Sequence, residues 1–329
     1  MATHLVTGAS GCIGAWVIRT LVDRGDEVVA VDLSTERHRV DAVVGPSMRP
    51  SITWIQGDVT DFEAFSALVR SSNAASIIHL AGLQVPSCRA NPVLGATVNV
   101  IGTLNVFEAA RAASIDRVVY ASSAAVHGPP TGSPGHACKE DESLDCRTHY
   151  GVFKQANEGT ARVMYLDHGV SSVGLRPFTV YGVGRDFGLT SGPTTALKAA
   201  LLREPFSIGF TGPTDFQFVG DVAEIFVRCI DEGPEGANVY NLHGTATTVE
   251  DVVSIIDRVL PEDRRGLITC DGPTLPMPEA MCGDALATAI GNVPTTPLEN
   301  GFRATYDAFA ALHKAGELDT RDLPREVAR

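Results

Sequence analysis

Two residues that can take part in proton transfer lie close together in the segment Y-G-V-F-K, as Tyr150 and Lys154. A spacing of four residues places both side chains on one face of a helix. A phenol has a pKa of about 10 and is a poor base at neutral pH. We expect the ammonium to stabilise the phenolate, so that Tyr150 takes the proton of a substrate hydroxyl. Such pairs also occur on solvated helix faces, so the chemistry depends on the neighbouring residues.

Two hydroxyl side chains, Ser122 and Ser123, end the apolar run V-V-Y-A-S-S. Ligands of doubly wound folds bind at the carboxyl ends of the strands. A serine hydroxyl at that position can hydrogen-bond the reacting oxygen of a substrate. The sequence therefore predicts that a serine, a tyrosine and a lysine meet at one site.

A glycine-rich turn, T-G-A-S-G-C-I-G, follows the first predicted strand and contains Gly8, Gly11 and Gly14. Glycines there permit a tight turn and let the backbone approach a pyrophosphate closely. The following helix offers free N–H groups and the positive end of its dipole to the phosphates. This pattern predicts a dinucleotide site.

Asp32 ends the second predicted strand, 18 residues after Gly14. An acid near this position accepts a hydrogen bond from the ribose 2′-hydroxyl. Because a carboxylate repels a 2′-phosphate, we expect NAD rather than NADP as the cofactor. Arg37 and Arg39 lie near enough in sequence to weaken this preference.

Short apolar runs alternate with helical patterns in the first two-thirds of the chain, which predicts a doubly wound α/β fold with a parallel sheet. The predicted strands are His4–Thr7, Glu27–Asp32, Ile52–Gln56, Ser76–Leu80, Arg117–Ser122 and Ser172–Arg176. The predicted helices are Gly14–Arg24, Asp61–Arg70, Pro92–Ala113 and Tyr150–His168. After Pro177 the pattern becomes irregular. We therefore expect an NAD-binding Rossmann-type domain over 1–176 and a smaller α/β substrate domain over 177–329, with some C-terminal segments returning to the first sheet.

The chain is acidic and has the composition of a globular protein. It contains 329 residues, is 44% hydrophobic and carries a net charge of −13. Such a charge disfavours binding to nucleic acids or to anionic membranes. No segment is expected to span a bilayer, and the first residues do not match a signal peptide. Seven scattered cysteines fit reduced thiols, so we expect a cytoplasmic protein.

In combination and order, these motifs resemble the extended short-chain dehydrogenase/reductase family, the NAD-dependent epimerase/dehydratase group of sugar-modifying enzymes. The resemblance rests on the glycine turn, H-L-A-G at 79–82, the serine pair, Y-x-x-x-K and L-R-P-F-T-V-Y-G. It implies NAD as cofactor and a small carbohydrate-type substrate. It also implies a homodimer that pairs through the predicted helices Pro92–Ala113 and Tyr150–His168.

The resemblance further implies roles for individual residues. Ser123, rather than Ser122, is implied to be catalytic together with Tyr150 and Lys154. The residues implied to bind the cofactor, together with Asp32, are Gly8, Gly11, Cys12, Ile13, Gly14, Asp58, Val59, Leu80, Ala81, Gly82, Asn99, Tyr150, Lys154, Pro177 and Phe178. Those implied to bind the substrate are Ser123, Thr179 and Arg185, the last of which can pair with a carboxylate.

Two arginines that hold the diphosphate in nucleotide-sugar members of the family are missing. Thr214 occupies the first expected position, and the loop C-D-G-P-T-L-P-M-P lacks the second. A buried diphosphate without guanidinium partners is poorly compensated, which disfavours a nucleotide sugar unless Arg185 or Arg203 substitutes. Thr179, in contrast, resembles the threonine of UDP-glucuronate epimerases.

Two enzymatic hypotheses follow. The first is an NAD-dependent oxidoreductase that oxidises a secondary hydroxyl of a small sugar, polyol or sugar acid. The alternative is a 4-epimerase of a UDP-hexuronate or UDP-hexose, which uses tightly bound NAD and returns the hydride to the other face. A non-catalytic NAD-binding regulator is disfavoured because it needs no base. No metal is expected, because the spacing of His136, Cys138, Cys146 and His149 matches no zinc pattern.

Overall fold

The computed structural model describes residues 1–130 and 133–324. Its strands are β1 (Thr3–Thr7), β2 (Glu27–Asp32), β3 (Ile52–Gln56), β4 (Ser76–His79), β5 (Arg117–Ala121), β6 (Ala137–Cys138), β7 (Ser171–Arg176), β8 (Thr179–Tyr181), β9 (Phe206–Ile208), β10 (Pro213–Phe218), β11 (Ala237–Asn241), β12 (Thr245–Thr248), β13 (Ile268–Cys270) and β14 (Ala280–Met281).

Its helices are α1 (Cys12–Asp23), α2 (His38–Val43), α3 (Phe62–Ser72), α4 (Val85–Ala90), α5 (Pro92–Ala96), α6 (Gly102–Ala112), α7 (His149–His168), α8 (Gly192–Leu201), α9 (Val219–Asp231), α10 (Val249–Val259), α11 (Asp284–Ile290) and α12 (Leu298–Ala315). A π-helical turn, Thr97–Ile101, joins α5 to α6, and short 3₁₀ turns occupy Pro46–Ser51, Ala124–Val126 and Glu262–Arg264.

Seven parallel strands form the central sheet in the order β11-β7-β5-β4-β1-β2-β3. The strand order reverses between β1 and β4, and a crevice opens at such a point beyond the carboxyl ends of the strands. This arrangement confirms the predicted doubly wound α/β fold. The strands that precede the motifs described above therefore end on the same side of the sheet, at the crevice.

Helices cover both faces of the sheet, because alternate strand residues point to opposite sides. In β1, Leu5 joins the core formed with α3, α6 and α7, whereas Val6 joins the core formed with α1 and α9. Both side chains are fully buried. The nearly continuous apolar strands of the sequence are thus explained by burial on two faces.

The predicted strands and helices correspond to observed elements, with one substantial difference. The predicted helix Pro92–Ala113 is divided into α5, the π-helical turn and α6. By length and composition Pro92–Ala112 is apolar enough to cross a membrane, contrary to our expectation that no segment would be. Its apolar character has another explanation, because residues such as Val106 and Phe107 are buried in the core against the sheet.

The second half of the chain contributes to both parts of the molecule. Strand β11 pairs with β7 in the central sheet, and α9 packs against α1. A separate three-stranded sheet has the order β12-β10-β8, and α8, α10 and α12 pack together beside it. The segment that connects β8 to α8 lies at the crevice between these two parts.

Candidate active site

The glycine turn between β1 and α1 is closed by a hydrogen bond from the Gly11 amide to the Gly8 carbonyl, at 2.9 Å. Gly8 has φ +66°, and a Cβ there would lie 2.6 Å from the Ala81 nitrogen. A Cβ on Gly14 would lie 2.3 Å from the Gly8 oxygen. Only glycine fits these two positions, so the backbone is exposed where a pyrophosphate can approach the start of α1. The turn therefore fits a dinucleotide.

Asp32 lies at the end of β2, where it lines the same crevice. Its carboxylate accepts hydrogen bonds from the amides of Ser10 and Ser34, both at 2.9 Å. These two bonds orient the carboxylate and leave it further capacity to accept from a ribose hydroxyl. The nearby arginines are engaged elsewhere: Arg37 lies 4.4 Å from the Trp54 ring centroid, and Arg39 binds Asp186. The geometry thus supports the preference for NAD.

The H-L-A-G segment follows β4 and forms the opposite wall of the crevice. Asn99 fixes this loop, because its side chain accepts from the Leu83 amide at 2.7 Å and donates to the Leu83 carbonyl at 2.9 Å. Asn99 is fully buried beneath the loop. It therefore positions the loop, and the cofactor contact that the resemblance implies for it stays a prediction.

Helix α7 begins beside the end of β5, which brings Tyr150 to the serine pair. The Thr148 hydroxyl caps the helix by accepting from the Gly151 amide at 3.0 Å. A Cβ on Gly151 would lie 2.4 Å from the Ala125 oxygen, so glycine permits close packing on the 3₁₀ turn. Ser123 precedes that turn; its hydroxyl accepts from the Ala125 amide at 3.2 Å, and its side chain lies near enough to Tyr150 to lower the pKa of the phenol.

Ser122 is committed to a structural contact. Its hydroxyl donates to Glu158, whose carboxylate forms a buried ion pair with Arg176 at 2.8 Å. This leaves Ser123 as the serine that contacts the phenol. The catalytic role of Ser123 stays a prediction.

Lys154 lies one helical turn after Tyr150 and is buried. Its Nζ donates to the Ala121 carbonyl at the end of β5, at 2.7 Å, and lies 5.6 Å from the Tyr150 ring centroid. Burial lowers the pKa of Lys154 to about 8. Burial also raises the pKa of Tyr150, against the opposing effects of the Ser123 hydrogen bond and the Arg185 charge. The lowering of the phenol pKa that we expect from Lys154 together with a cationic nicotinamide stays a prediction.

Arg185 brings a positive charge to the crevice near Tyr150. It donates to Gln84 Oε1 at 3.3 Å and to Thr190 Oγ1 at 3.0 Å, while the neighbouring Asp186 pairs with Arg39. Its Nε is buried and lacks a hydrogen-bond partner within the described part of the chain. A half-buried guanidinium with remaining donor capacity can bind a carboxylate of a substrate.

Thr179 does not reach the crevice, contrary to the role that the resemblance implied. It lies in β8 with no exposed surface, and its hydroxyl shares a hydrogen bond of 2.7 Å with the hydroxyl of Thr214 in β10. The two threonines satisfy each other in the interior of the small sheet. Thr214, which replaces an expected arginine, therefore contributes no charge to the site.

The crevice has two adjoining parts that share Gly8, Gly11, Leu80 and Gly82. The predicted residues that line the part near Asp32 also include Asp58, Val59 and Ala81. Those that line the part near Tyr150 also include Cys12, Ile13, Gly14, Ser123, Lys154, Pro177, Phe178 and Arg185. The sequence reasoning missed Gln84, Val180, Leu189, Thr190 and Met277, which also line the catalytic part. Gln84 directly follows H-L-A-G-L, and its position after a strand end could have indicated it.

The family model for the NAD-dependent epimerase/dehydratase family matches residues 4–242. The chain belongs to this family. Its activity therefore depends on NAD, and it is an enzyme.

Relatives of known activity modify nucleotide sugars. A UDP-glucose 4-epimerase of Mycolicibacterium smegmatis is 30% identical over 70% of this chain and 74% of its own length. UDP-glucuronate 4-epimerase 4 of Arabidopsis thaliana is 28% identical over 92% of this chain and 74% of its own length. Among solved structures, MoeE5 in complex with UDP-glucuronic acid and NAD is 27% identical, with a TM-score of 0.77 and coverage of 94% of this chain and 99% of MoeE5.

The cofactor preference can be tested at Asp32. We expect NAD to bind at least about 100-fold more tightly than NADP, because a like-charge contact costs several kcal/mol. Asp32→Ala should reduce the ratio by removing the repulsion. Isothermal titration calorimetry with both cofactors measures the ratio, and similar dissociation constants in the wild type would contradict the assignment.

The proton acceptor can be tested by substitution and pH dependence. Tyr150→Phe should lower kcat by about 100- to 10000-fold while NAD still binds, because only the phenolic oxygen is lost. In the wild type, kcat should rise with pH as Tyr150 loses its proton. Ser123→Ala removes a side-chain interaction that lowers the Tyr150 pKa, so the rise in kcat should move to higher pH. Steady-state pH profiles measure this shift, and an unchanged profile in Ser123→Ala would exclude the proposed contact.

Proposed function

We propose that the enzyme oxidises a secondary hydroxyl of a sugar that carries a carboxylate. The observation that carries this proposal is Arg185, a half-buried residue near Tyr150 whose buried Nε lacks a partner among the described residues. A buried polar atom is costly unless it is hydrogen-bonded. An acidic substrate group would supply the missing partner and would place the sugar beside the base.

The residues of the crevice have separate roles in the reaction. NAD, when bound, accepts the hydride from the sugar carbon. Ser123 orients the sugar oxygen, and Tyr150 removes its proton as the carbon is oxidised. Lys154 holds the start of α7 against the end of β5, and its charge also suits a contact with the cofactor ribose.

The relatives support an epimerase that acts on a UDP-hexuronic acid, and we propose this outcome first. The Arabidopsis relative is named a UDP-glucuronate 4-epimerase, and MoeE5 was solved with UDP-glucuronic acid. An epimerase needs the same oxidation, followed by return of the hydride to the opposite face. Arg185 would then bind the carboxylate that distinguishes a hexuronic acid from a hexose.

A dehydrogenase of a free sugar acid is the second candidate, and a specific observation favours it. The charged side chains that line the catalytic part of the crevice in the described residues are Lys154 and Arg185. Thr214 is buried, and the loop after β13 contributes the apolar Met277. A diphosphate would find few cationic partners there, whereas a free sugar acid needs only Arg185.

One experiment separates these outcomes. The purified enzyme is incubated with NAD and, in parallel, with hexuronic acids, neutral sugars, UDP-hexuronic acids and UDP-hexoses. Net formation of reduced nicotinamide with a free acid indicates the dehydrogenase, and conversion between isomers without net reduction indicates the epimerase. Turnover confined to neutral sugars or UDP-hexoses would contradict the proposed acidic substrate.

The proposed role of Arg185 predicts a loss of activity that is selective for acidic substrates. Arg185→Gln should lower kcat/KM for the acidic substrate by about 10- to 100-fold, the cost of a hydrogen bond to a charged group. The kcat/KM for the matched neutral sugar should fall much less. Arg203→Gln is a suitable control, because Arg203 pairs with Asp263 at the surface. An equal loss of kcat/KM for acidic and neutral substrates would show that Arg185 does not bind the carboxylate.

We also propose that two copies of the chain form a dimer through α5, α6 and α7. Apolar side chains on these helices and on the π-helical turn are exposed, which marks interaction surfaces. They are Val93, Leu94, Ile101, Leu104, Val152, Val163 and Leu166. Val93 and Leu166 are 77% and 71% exposed. A two-fold interface would cover the same residues on both subunits.

Sedimentation velocity tests the dimer. The wild type should sediment as a dimer at micromolar concentration, and Val163→Glu should shift the population to monomer because it buries a charge in the interface. Phe187→Glu changes an exposed apolar residue outside these helices and should leave the dimer intact. A wild-type monomer would contradict the proposed surface.

We further propose a cytoplasmic location. The seven cysteines are all free thiols in the structure, which suits a reducing compartment.

A further inference from the structure

The loop that carries Arg185, residues 182–190, belongs to the part of the chain that follows β8. We call it the Arg185 loop. Its contacts, however, reach back to three segments around the cofactor crevice: the start of α1, the segment after β2 and the segment after β4. Each contact joins a residue of the Arg185 loop to a residue that lies more than 100 positions earlier in the chain.

The strongest contact is the ion pair between Asp186 and Arg39. Arg39 Nε lies 2.9 Å from Asp186 Oδ2, and Nη2 lies 2.8 Å from Oδ1, so the pair is bidentate. The remaining Nη1 of Arg39 donates to the Ser10 carbonyl in the glycine turn, at 3.1 Å. The side chains are only 26% and 16% exposed, so solvent screens the pair less than an ordinary surface ion pair. One guanidinium thus bridges the pyrophosphate turn and the Arg185 loop.

The second contact acts on Arg185 itself. Gln84, which follows the H-L-A-G segment, accepts from Arg185 Nη1 at 3.3 Å. A Cβ at Gly188 would lie 2.0 Å from Gln84 Oε1, and Gly188 has φ +109°, so only glycine lets Gln84 approach. The orientation of the substrate-facing guanidinium is therefore set partly by a loop that lines the cofactor crevice.

The third contact fixes the beginning of the loop. Trp16 on α1 donates its indole N–H to the Val183 carbonyl at 2.9 Å. A Cβ on Gly184 would lie 3.7 Å from the Cα of Cys12 at the start of α1. The loop is thus packed on the helix whose N-terminus faces the pyrophosphate.

We infer that the Arg39–Asp186 pair and the Gln84–Arg185 contact couple cofactor binding to the position of the substrate arginine. Order imposed on the glycine turn by NAD is passed through Arg39 to Asp186, the residue next to Arg185. Arg39 and Asp186 are positioning residues in this scheme, because they act through Arg185. The consequence for acidic substrates rests on the proposed function, whereas the coupling between the loops does not.

Hydrogen–deuterium exchange with and without saturating NAD tests the coupling without any substrate. In the wild type, NAD should slow amide exchange both in residues 8–14 and in residues 182–190. In Asp186→Asn and in Arg39→Gln, NAD should still protect residues 8–14 but should no longer protect residues 182–190. The double variant should match either single variant, because all three lose the same contact.

Asp41→Asn is the matched control, because it removes an exposed aspartate–arginine pair from the same helix that carries Arg39. It should behave like the wild type. Full NAD-dependent protection of residues 182–190 in Asp186→Asn would overturn the inference, and so would its absence in the wild type. Loss of NAD binding in Asp186→Asn would also overturn it, since the residue would then belong to the cofactor site.

A binding measurement extends the test to the substrate. For an acidic sugar identified as a substrate, saturating NAD should tighten its dissociation constant at least about fivefold in the wild type and not in Asp186→Asn. If no acidic sugar binds, the proposed function fails while the exchange result still stands. If an acidic sugar binds equally with and without NAD, the coupling fails while the proposed function stands.

Discussion

The hydrogen bond from Lys154 to the Ala121 carbonyl joins the second turn of α7 to the end of β5. The arrangement of the catalytic set depends on this contact, because Tyr150 and Ser123 belong to elements that are separate in sequence. Gly151 allows the approach, since any side chain there would meet the Ala125 carbonyl. The lysine that a sequence pattern assigns to chemistry therefore also has a structural role, which is to hold the base against the serine.

The crevice has charged side chains of opposite sign on its two sides. Asp32 lies on the cofactor side, while Arg185 lies near Tyr150 on the substrate side. The chain carries a net charge of −13, so an anionic ligand has to be held by local groups rather than by the protein's overall field. A single half-buried arginine satisfies that requirement for one carboxylate. One arginine is less able to pair with a carboxylate and a diphosphate together. Substrate tests can therefore distinguish a free sugar acid from a nucleotide sugar.

Much of the fold was predictable because its signals are local. Buried parallel strands give continuous apolar runs, and the observed strand Glu27–Asp32 has the predicted bounds. The glycine turn and the Tyr–Lys spacing are equally local, and both lie at the crevice. The division of the predicted helix 92–113 by a π-helical turn was not predictable, because one extra residue in a helical turn leaves no clear sequence pattern.

The orientations of individual side chains were harder to predict, because they depend on distant partners. Thr179 turns into the small sheet because Thr214, 35 residues away, supplies a hydroxyl partner. Arg39 was considered only as a neighbour of Asp32, yet it pairs with Asp186 across 147 positions. No local pattern encodes such contacts. They are visible only when the two parts of the chain are brought together at the crevice.

The central claim is that one crevice holds a sugar hydroxyl at Tyr150 and the carboxylate of the same sugar at Arg185. A crystal structure of Tyr150→Phe with NAD and an acidic substrate tests it most directly, because the variant keeps the site but stops turnover. We predict that the sugar carboxylate accepts hydrogen bonds from the Arg185 guanidinium while a secondary hydroxyl contacts Ser123. A carboxylate bound elsewhere, with Arg185 still held only by Gln84 and Thr190, would contradict the account.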